Sequence, residues 1–290
     1  MQMQVLQNGR RSPAGAAGSG LERALHLDLD AARVTRLPGD AFYVPDFVSE
    51  AEEELLLRKI TSAPQPTWKT LSRRRLQTYP SPLTKSNTLL DAPLPTWLSD
   101  PIIPRFAQLS LFENSPHKRP NHVLVNEYQR GQGIMPHEDG GAYYPLVATV
   151  SLGDAIVLDL YDKNDQNRNQ NNDNAEQGFK HNYEEEEEEE EEEDGDLNSR
   201  QPKPTHRILQ ERRSLLVTRG AIYSDFLHGI AEVERDESLD ADSICNWDLL
   251  RNMELFAGGY NERGTRVSLT YRDVLRVSKV GGAMKFLNKK

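Results

Sequence analysis

A single cysteine, Cys245, stands in 290 residues. An intrachain disulfide is therefore excluded, as is a cysteine-rich zinc site, and a reducing compartment suits the chain. Long apolar runs are missing too: none approaches the ~18–20 residues that cross a bilayer, so no membrane partner is expected. The opening stretch "MQMQVLQNGRRSPAGAAGSG" lacks the apolar core of ~7–15 residues found in a secretory leader, so export is not expected either. Hydrophobic residues are also scarce for a globular chain, at 37%.

That last shortage is local. From Asp162 to His206 the sequence runs through "NDQNRNQNNDNAEQ" and "YEEEEEEEEEEDGD", with 16 acidic residues against 5 basic ones. The whole chain has a formal net charge of -10, so everything outside this segment is close to neutral. The acidity belongs to one insertion and does not argue against a nucleic-acid partner. A like-charge block of this kind repels itself and buries nothing, so residues 162–206 are expected to form a disordered loop. Because closure entropy grows only with the logarithm of length, a surface insertion is cheap if its roots lie close together. It reads as a tolerated low-complexity expansion. The functional alternatives are a guard against non-specific nucleic-acid contact and a docking tail for a basic protein partner. Residues 1–37 are expected to be a disordered tail and 281–290 a second tail, leaving one domain at 38–280.

Within that domain the first signal is helical. In "AFYVPDFVSEAEEELLLRKIT", Ser49 and Glu52 have the spacing of a capping box, and Leu55, Leu56, Leu57 and Ile60 form an apolar stripe. A second helical region around "LPTWLSDPIIPRFAQLSLF" is interrupted by Pro101 and Pro104. From Asn121 onward short β-branched runs take over: "HVLVNEY", "LVATVSLG", "AIVLDLY", "RSLLVTRG", "AIYSDFLHG" and "TRVSLTYRDV". Six strands separated by turns suggest a sandwich, jelly roll or barrel, with the N-terminal helices covering one face.

Side chains two apart on a strand share a face. In "GIMPHEDGG" this directs His137 and Asp139 together and Glu138 elsewhere. "DFLHGI" offers His228 as a distant third ligand, and two histidines with one carboxylate suit non-haem Fe(II). Taken alone, this pattern equally fits a surface turn and a satisfied core histidine. The strand "TRVSLTYR" adds weight: Arg266, Ser268, Thr270 and Arg272 share one face, and Val267, Leu269 and Tyr271 the other. If the polar face points inward, two guanidinium groups are buried and need anions, for which a carboxylate ligand is the natural partner. If it points outward, both arginines are solvated. Asn126 and Tyr128 in "VNEY" likewise share a face and are neutral donors for such a ligand.

Taken in order, Asn-x-Tyr, His-x-Asp, "VSLG", a distal His and Arg-x-Ser-Leu-Thr-x-Arg resemble the AlkB family of Fe(II)/2-oxoglutarate dioxygenases. The phrases "FYVPDFVSEAEEELLLRKI", "NHVLVNEY", "GIMPHEDG", "RSLLVTRG", "LHGI" and "GTRVSLT" are most similar to its homologue-6 branch. The resemblance spans residues 38–280 apart from the insertion and a loop after Ile230. It implies a mainly β (α+β) fold, a double-stranded β-helix (jelly-roll, cupin-like) core with N-terminal helices packed on it. It also implies an oxidoreductase that uses Fe(II), 2-oxoglutarate and molecular oxygen. His137, Asp139 and His228 would be the metal ligands. Asn126, Tyr128, Arg266, Ser268 and Arg272 would hold the cosubstrate, with Arg266 on its distal carboxylate. No catalytic side chain is implied beyond the metal ligands.

The substrate implied is alkylated DNA or RNA, demethylated oxidatively. A protein side-chain hydroxylase or demethylase, or a catalytically weak nucleic-acid- or protein-binding module, would keep the same residues. Two features depart from the family. Gly140 and Gly141 stand where some repair members have a base-contacting acid, and Ser268 stands where relatives often have Asn. "TWKTLSRRRLQTY" supplies Trp68, Arg73, Arg74, Arg75 and Tyr79 as substrate-lid residues, joined by Tyr143 and Tyr144. Such a basic run with aromatics can clamp phosphates and stack a base, or simply be an exposed basic loop. A monomer in the nucleus, the cytoplasm or both is expected.

Overall fold

Strands alternate between two packing partners throughout this protein, and that alternation creates the pocket. The computed structural model describes residues 28–164 and 203–279. In chain order the strands are β1 (Ala41–Val44), β2 (Lys69–Thr70), β3 (Arg75–Tyr79), β4 (Leu89–Leu90), β5 (His122–Tyr128), β6 (Ile134–His137) and β7 (Leu146–Gly153). They continue as β8 (Ile156–Asp162), β9 (His206–Gln210), β10 (Leu215–Arg219), β11 (Phe226–Ile230), β12 (Arg235–Glu237), β13 (Tyr260–Glu262), β14 (Arg266–Arg272) and β15 (Val277–Ser278). The α-helices are α1 (Glu50–Thr61), α2 (Thr96–Ser99), α3 (Ile103–Gln108) and α4 (Ala221–Ser224). None of the described helices is long and apolar enough to cross a membrane.

A major sheet runs β1-β10-β7-β14-β5-β3-β2 and a minor sheet runs β6-β11-β8-β9. All pairs within these two sheets are antiparallel. From β5 to β11 the chain changes sheet at every connection except β8–β9, which makes the core the expected double-stranded β-helix. Two small ladders, β12–β13 and the parallel β4–β15, lie outside it.

The outer face of the major sheet packs on the helices. Val123 and Val125 of β5, Ala148 and Val150 of β7, Leu215 and Val217 of β10, and Val267, Leu269 and Tyr271 of β14 join Leu56, Ile60, Leu98, Ile102 and Phe106 in one core. Side chains of this size contribute ~1.5–3 kcal/mol each when fully buried. The Tyr271 ring meets Phe106 edge-on at 5.2 Å, and its hydroxyl donates to the Leu98 carbonyl at 2.9 Å. Helix α1 starts at the predicted capping box, with the Ser49 N–H donating to Glu52 Oε2 at 2.8 Å and the Glu52 N–H to Ser49 Oγ at 3.3 Å. Only Leu56 and Ile60 of its apolar stripe are fully buried; Leu57 is partly covered and Leu55 faces solvent.

Some boundaries shift from the expectation. Residues 28–37 do not belong to a tail: Val34 and Leu37 are buried, and the Val34 N–H donates to the Ala41 carbonyl at 2.9 Å, pinning the segment to β1. Residues 1–27 and 280–290 lie outside the described residues, as does 165–202, where most of the expected disordered loop falls. The roots of that insertion are ordered and adjacent. Asp162 closes β8 and His206 opens β9, with Leu160 opposite His206. "AIYSDFLHG", read as one strand, begins as the helical turn α4, and β11 starts only at Phe226. The region around Pro101 and Pro104 splits into α2 and α3.

On the outer face of the minor sheet, Asp159 is 7% exposed. Burial pushes its carboxyl up to about 6, against the pull of Arg207 and with help from the negative charge of Asp236. A folded-state value above the unfolded one of 3.8 means that the neutral form favours folding. The stability it gives is complete below pH 3.8 and is lost as pH rises through about 6. The loss amounts to ~2–3 kcal/mol. Asp159→Asn, measured by denaturant unfolding, is therefore expected to be more favourable relative to wild type at pH 7.5 than at pH 4. An equal difference at both pH values would show that this carboxyl titrates normally.

Candidate metal and carboxylate pocket

The inner face of the major sheet supplies one wall of a pocket. Asn126 and Tyr128 come from β5, and Arg266, Ser268, Thr270 and Arg272 from β14. All seven residues of β14 are buried, so the arginines face inward and the solvated alternative is overturned. The minor sheet and the loop after β6 supply the opposite wall, with Ile134, His137, Asp139, His228 and Ile230. The eight residues expected to bind metal and cosubstrate thus line one cavity.

Arg266 is 3% exposed. One of its terminal nitrogens donates to Ser151 Oγ at 2.9 Å and to Gln210 Oε1 at 3.0 Å, and the guanidinium lies 5.8 Å from the centre of the Tyr128 ring. Its Nε has no partner, and no carboxylate pairs with it among the described residues. Burial pushes it down to about 10, a loss that nearby Tyr128 opposes and Arg263 deepens, yet it stays cationic at neutral pH. A buried cation held only by neutral groups is costly, and a bidentate carboxylate is its natural partner. Asn126 Oδ1 is also buried without a partner. This end of the pocket fits an anionic ligand.

At the other end of β14, Arg272 forms a buried ion pair with Asp139, both side chains being at most 5% exposed. Burial works to raise the Asp139 carboxyl. The Arg272 guanidinium, followed by His228 and His137, outweighs it and holds the carboxyl below its ordinary value. Across the cavity His137 and His228 are directly opposed in the β6–β11 ladder, with ring centroids 4.3 Å apart. His137 Nδ1 lies 2.8 Å from the Met135 carbonyl, a bond that fixes the tautomer and leaves Nε2 with the coordinating lone pair. Burial, together with facing His137, pushes His228 down to about 3, so its imidazole is neutral. Glu138 points away, as alternation requires, and pairs with Lys163.

These three donors are the right set for Fe(II). They are gathered but not closed: among the described residues no three such side chains stand arranged around an ion. The Asp139 carboxylate is turned onto Arg272, so binding an ion exchanges part of that pair for the metal. Two glycines bring the histidines together. A Cβ on Gly229 would sit 3.0 Å from Pro136 N, and one on Gly133 only 2.2 Å from the Ile230 carbonyl oxygen. Gly229 lies within the register irregularity between His228 and Ile230, and Gly133 directly precedes Ile134, the partner of Ile230.

The expected lid residues divide by face. Arg74 lines the pocket at 7% exposure, and its Nε has no partner. Arg75, one residue on, faces the other way: it donates to both Glu127 oxygens, at 2.7 and 2.9 Å, and lies 4.0 Å over the Trp68 ring. Arg73 pairs with Glu232 on the surface. Tyr79 donates to Gln77 and meets Trp97 edge-on, and Trp68, Tyr79 and Tyr144 pack against the core. Trp68, Arg75, Tyr79 and Tyr144 are thus packed into the scaffold rather than turned into the pocket. Tyr143 does stand at the pocket end, with the Arg272 guanidinium 4.7 Å from its ring centre.

Sequence reading missed Gln210 and Tyr223. Gln210 lies on β9, beside the insertion. Tyr223 lies on α4, where its hydroxyl donates to the Gly140 carbonyl at 2.8 Å and fixes the loop just past Asp139. Burial, then the negative charge of Asp139, pushes its phenol above the ordinary value.

Comparison with known proteins gives three findings. The profile of the 2OG-Fe(II) oxygenase superfamily matches residues 40–272. A zebrafish (Danio rerio) protein named "Probable RNA/DNA demethylase ALKBH6" is 35% identical over 264 residues, which is 91% of this chain and 97% of that one. A Macaca fascicularis protein named "tRNA (carboxymethyluridine(34)-5-O)-methyltransferase ALKBH8" is 31% identical over 134 residues, 44% of this chain and 20% of that one. Gly229→Ala is expected to weaken Fe(II) or Co(II) binding by ~10-fold or more, read by anaerobic titration. Unchanged affinity would mean that the β6–β11 approach does not set the histidine pair.

Proposed function

The chain belongs to the AlkB family within the 2OG-Fe(II) oxygenase superfamily, and from that premise we propose that it demethylates alkylated nucleic acid. As a member it is a dioxygenase that uses Fe(II), 2-oxoglutarate and dioxygen. When bound, metal and cosubstrate supply the oxidation: 2-oxoglutarate loses CO2 to become succinate, which takes one oxygen atom, while the other is inserted into a C–H bond of the substrate. A hydroxylated N-methyl carbon then leaves as formaldehyde.

In this reading His137, Asp139 and His228 hold the iron, and Arg266 takes the distal carboxylate of 2-oxoglutarate. Asn126 and Tyr128 orient that cosubstrate, and Ser268 and Arg272 line its path toward the metal. The substrate assignment is supported by the near end-to-end match to a relative named as a probable RNA/DNA demethylase. That match is the observation that carries it, and Arg74 adds a further cation to the pocket. This cation is turned into the pocket with no carboxylate partner among the described residues, while Arg73 and Arg75 beside it are both paired. It precedes Arg75, which faces Glu127, so it lies toward Tyr128 and Arg266, where an unpaired guanidinium suits an anionic ligand.

The first test is succinate formation with Fe(II), ascorbate and 2-oxoglutarate, comparing methylated DNA and RNA oligonucleotides, a peptide pool and no substrate. Stimulation by a methylated oligonucleotide with matching formaldehyde release is expected. Stimulation by peptides alone would overturn the nucleic-acid reading in favour of a protein hydroxylase. Arg266→Gln is expected to raise the KM for 2-oxoglutarate by ~10–100-fold, the worth of a charge-assisted bond. An unchanged KM would place the cosubstrate elsewhere.

A further inference from the structure

His122 opens β5, on the same face as Leu124, Asn126 and Tyr128, which line the pocket. It is 2% exposed, and neither ring nitrogen has a hydrogen-bond partner. Burial, and then the neighbouring Arg272 cation, push it down to about 3, so the ring is neutral, with one donor and one acceptor. The Ser81 backbone acts on the ring as a weak hydrogen-bonding neighbour and raises its basicity in part, but it falls outside full hydrogen-bond geometry, and Ser81 Oγ is itself buried and unpartnered. Each orphaned polar atom of this kind costs ~1–3 kcal/mol. Such atoms are rare enough in folded proteins to need a reason.

The position supplies one. In the β5–β14 ladder Arg266 faces Tyr128 at one end and Arg272 faces His122 at the other, ~20 Å apart at the rise of a strand. Arg266 marks the cosubstrate end. Asp139, beside Arg272, marks the metal. A substrate carbon must reach the metal from the side away from Arg266, which is the end where His122 lies. Tyr143 stands at that end, half-buried, with its ring centroid 5.9 Å from that of His122 and 4.7 Å from the Arg272 guanidinium. The backbone on either side is held, with the Tyr144 N–H donating to the Asp273 carbonyl at 2.8 Å and the Leu275 N–H to the Ala142 carbonyl at 3.0 Å, so any movement here is a rotation of the ring.

We propose that His122 is a specificity-determining residue that hydrogen-bonds the edge of the target nucleobase, which enters as Tyr143 turns aside and stacks on it. This deepens the nucleic-acid reading and rests on it. A planar heteroaromatic ring matches both features: its face suits the tyrosine, and its edge carries the donors and acceptors a neutral imidazole lacks here. The methyl group is then presented toward Asp139 and the two histidines.

The test compares wild type with His122→Phe, which fills the space without nitrogens, and His122→Asn, which restores a donor and an acceptor. The substrates are DNA and RNA oligonucleotides that differ only in carrying methylated adenine or methylated cytosine, with the KM for 2-oxoglutarate measured in parallel. His122→Phe is expected to lower kcat/KM on the preferred base by ~10–100-fold and on the other base by less, so that the preference narrows. His122→Asn is expected to recover part of it. An unchanged preference in His122→Phe overturns the proposal while leaving the nucleic-acid reading intact. An equal loss on all substrates, with a parallel loss of 2-oxoglutarate affinity, would assign His122 a structural role instead. Wild-type turnover that no oligonucleotide stimulates would remove both readings together.

Discussion

Burying a guanidinium demands an anion, and β14 buries two of them on one face of one strand. The protein meets this demand unequally. Arg272 receives Asp139, and the pair organises the loop after β6 and draws the histidines of two strands to the same place. Arg266 receives only Ser151, Gln210 and the face of Tyr128, which orient the cation without neutralising it. At one end of the pocket the cation is therefore neutralised by the protein itself, and at the other it is left for a ligand to neutralise. The opposite face of the same strand makes this tolerable. Val267, Leu269 and Tyr271 are fixed in the core under the helices, so β14 cannot twist to carry either arginine to solvent.

How legible this was in the sequence depended on whether period-2 alternation survived in each stretch. In β14 it is clean, and the pocket face and core face follow from the order of residues. In β5 it gives Asn126 and Tyr128, and also His122, which the reading passed over because a lone histidine carries no pattern. The arginines at 73–75 show the limit. Composition makes them equivalent, yet a single step of alternation sends Arg75 to Glu127 and Arg74 into the pocket. Only the strand pairing, with Leu76 opposite Asn126, decides which is which.

Short or irregular elements were the hardest to read. β6 is four residues long and includes a proline, and β9 adjoins the acidic insertion, so neither showed a strand signal; Gln210 was lost with β9. Tyr223 was read into a strand because "AIYSDFLHG" is β-branched and aromatic, whereas Gly220 turns the chain at φ 59° and a helical turn follows. Residues 28–37 were grouped with the expected tail, although three spaced apolar side chains, Ala32, Val34 and Leu37, are buried there.

The insertion and the proposed metal site meet at one pair of charges. Lys163 directly follows β8, at the root of the acidic segment. Its ammonium group is held by Glu138 and by the Ser224 carbonyl at 2.8 Å. Glu138 lies between His137 and Asp139, so this pair anchors the middle residue of the triplet outward while its neighbours point in. Tyr223, on the same α4 turn as Ser224, holds the Gly140 carbonyl. The loop carrying two of the three proposed ligands is thus fastened to α4 at two points, directly through Tyr223 and through Lys163 from Glu138. Position therefore does not depend on the metal, and the protein can keep the ligand loop in place while Asp139 is still paired with Arg272.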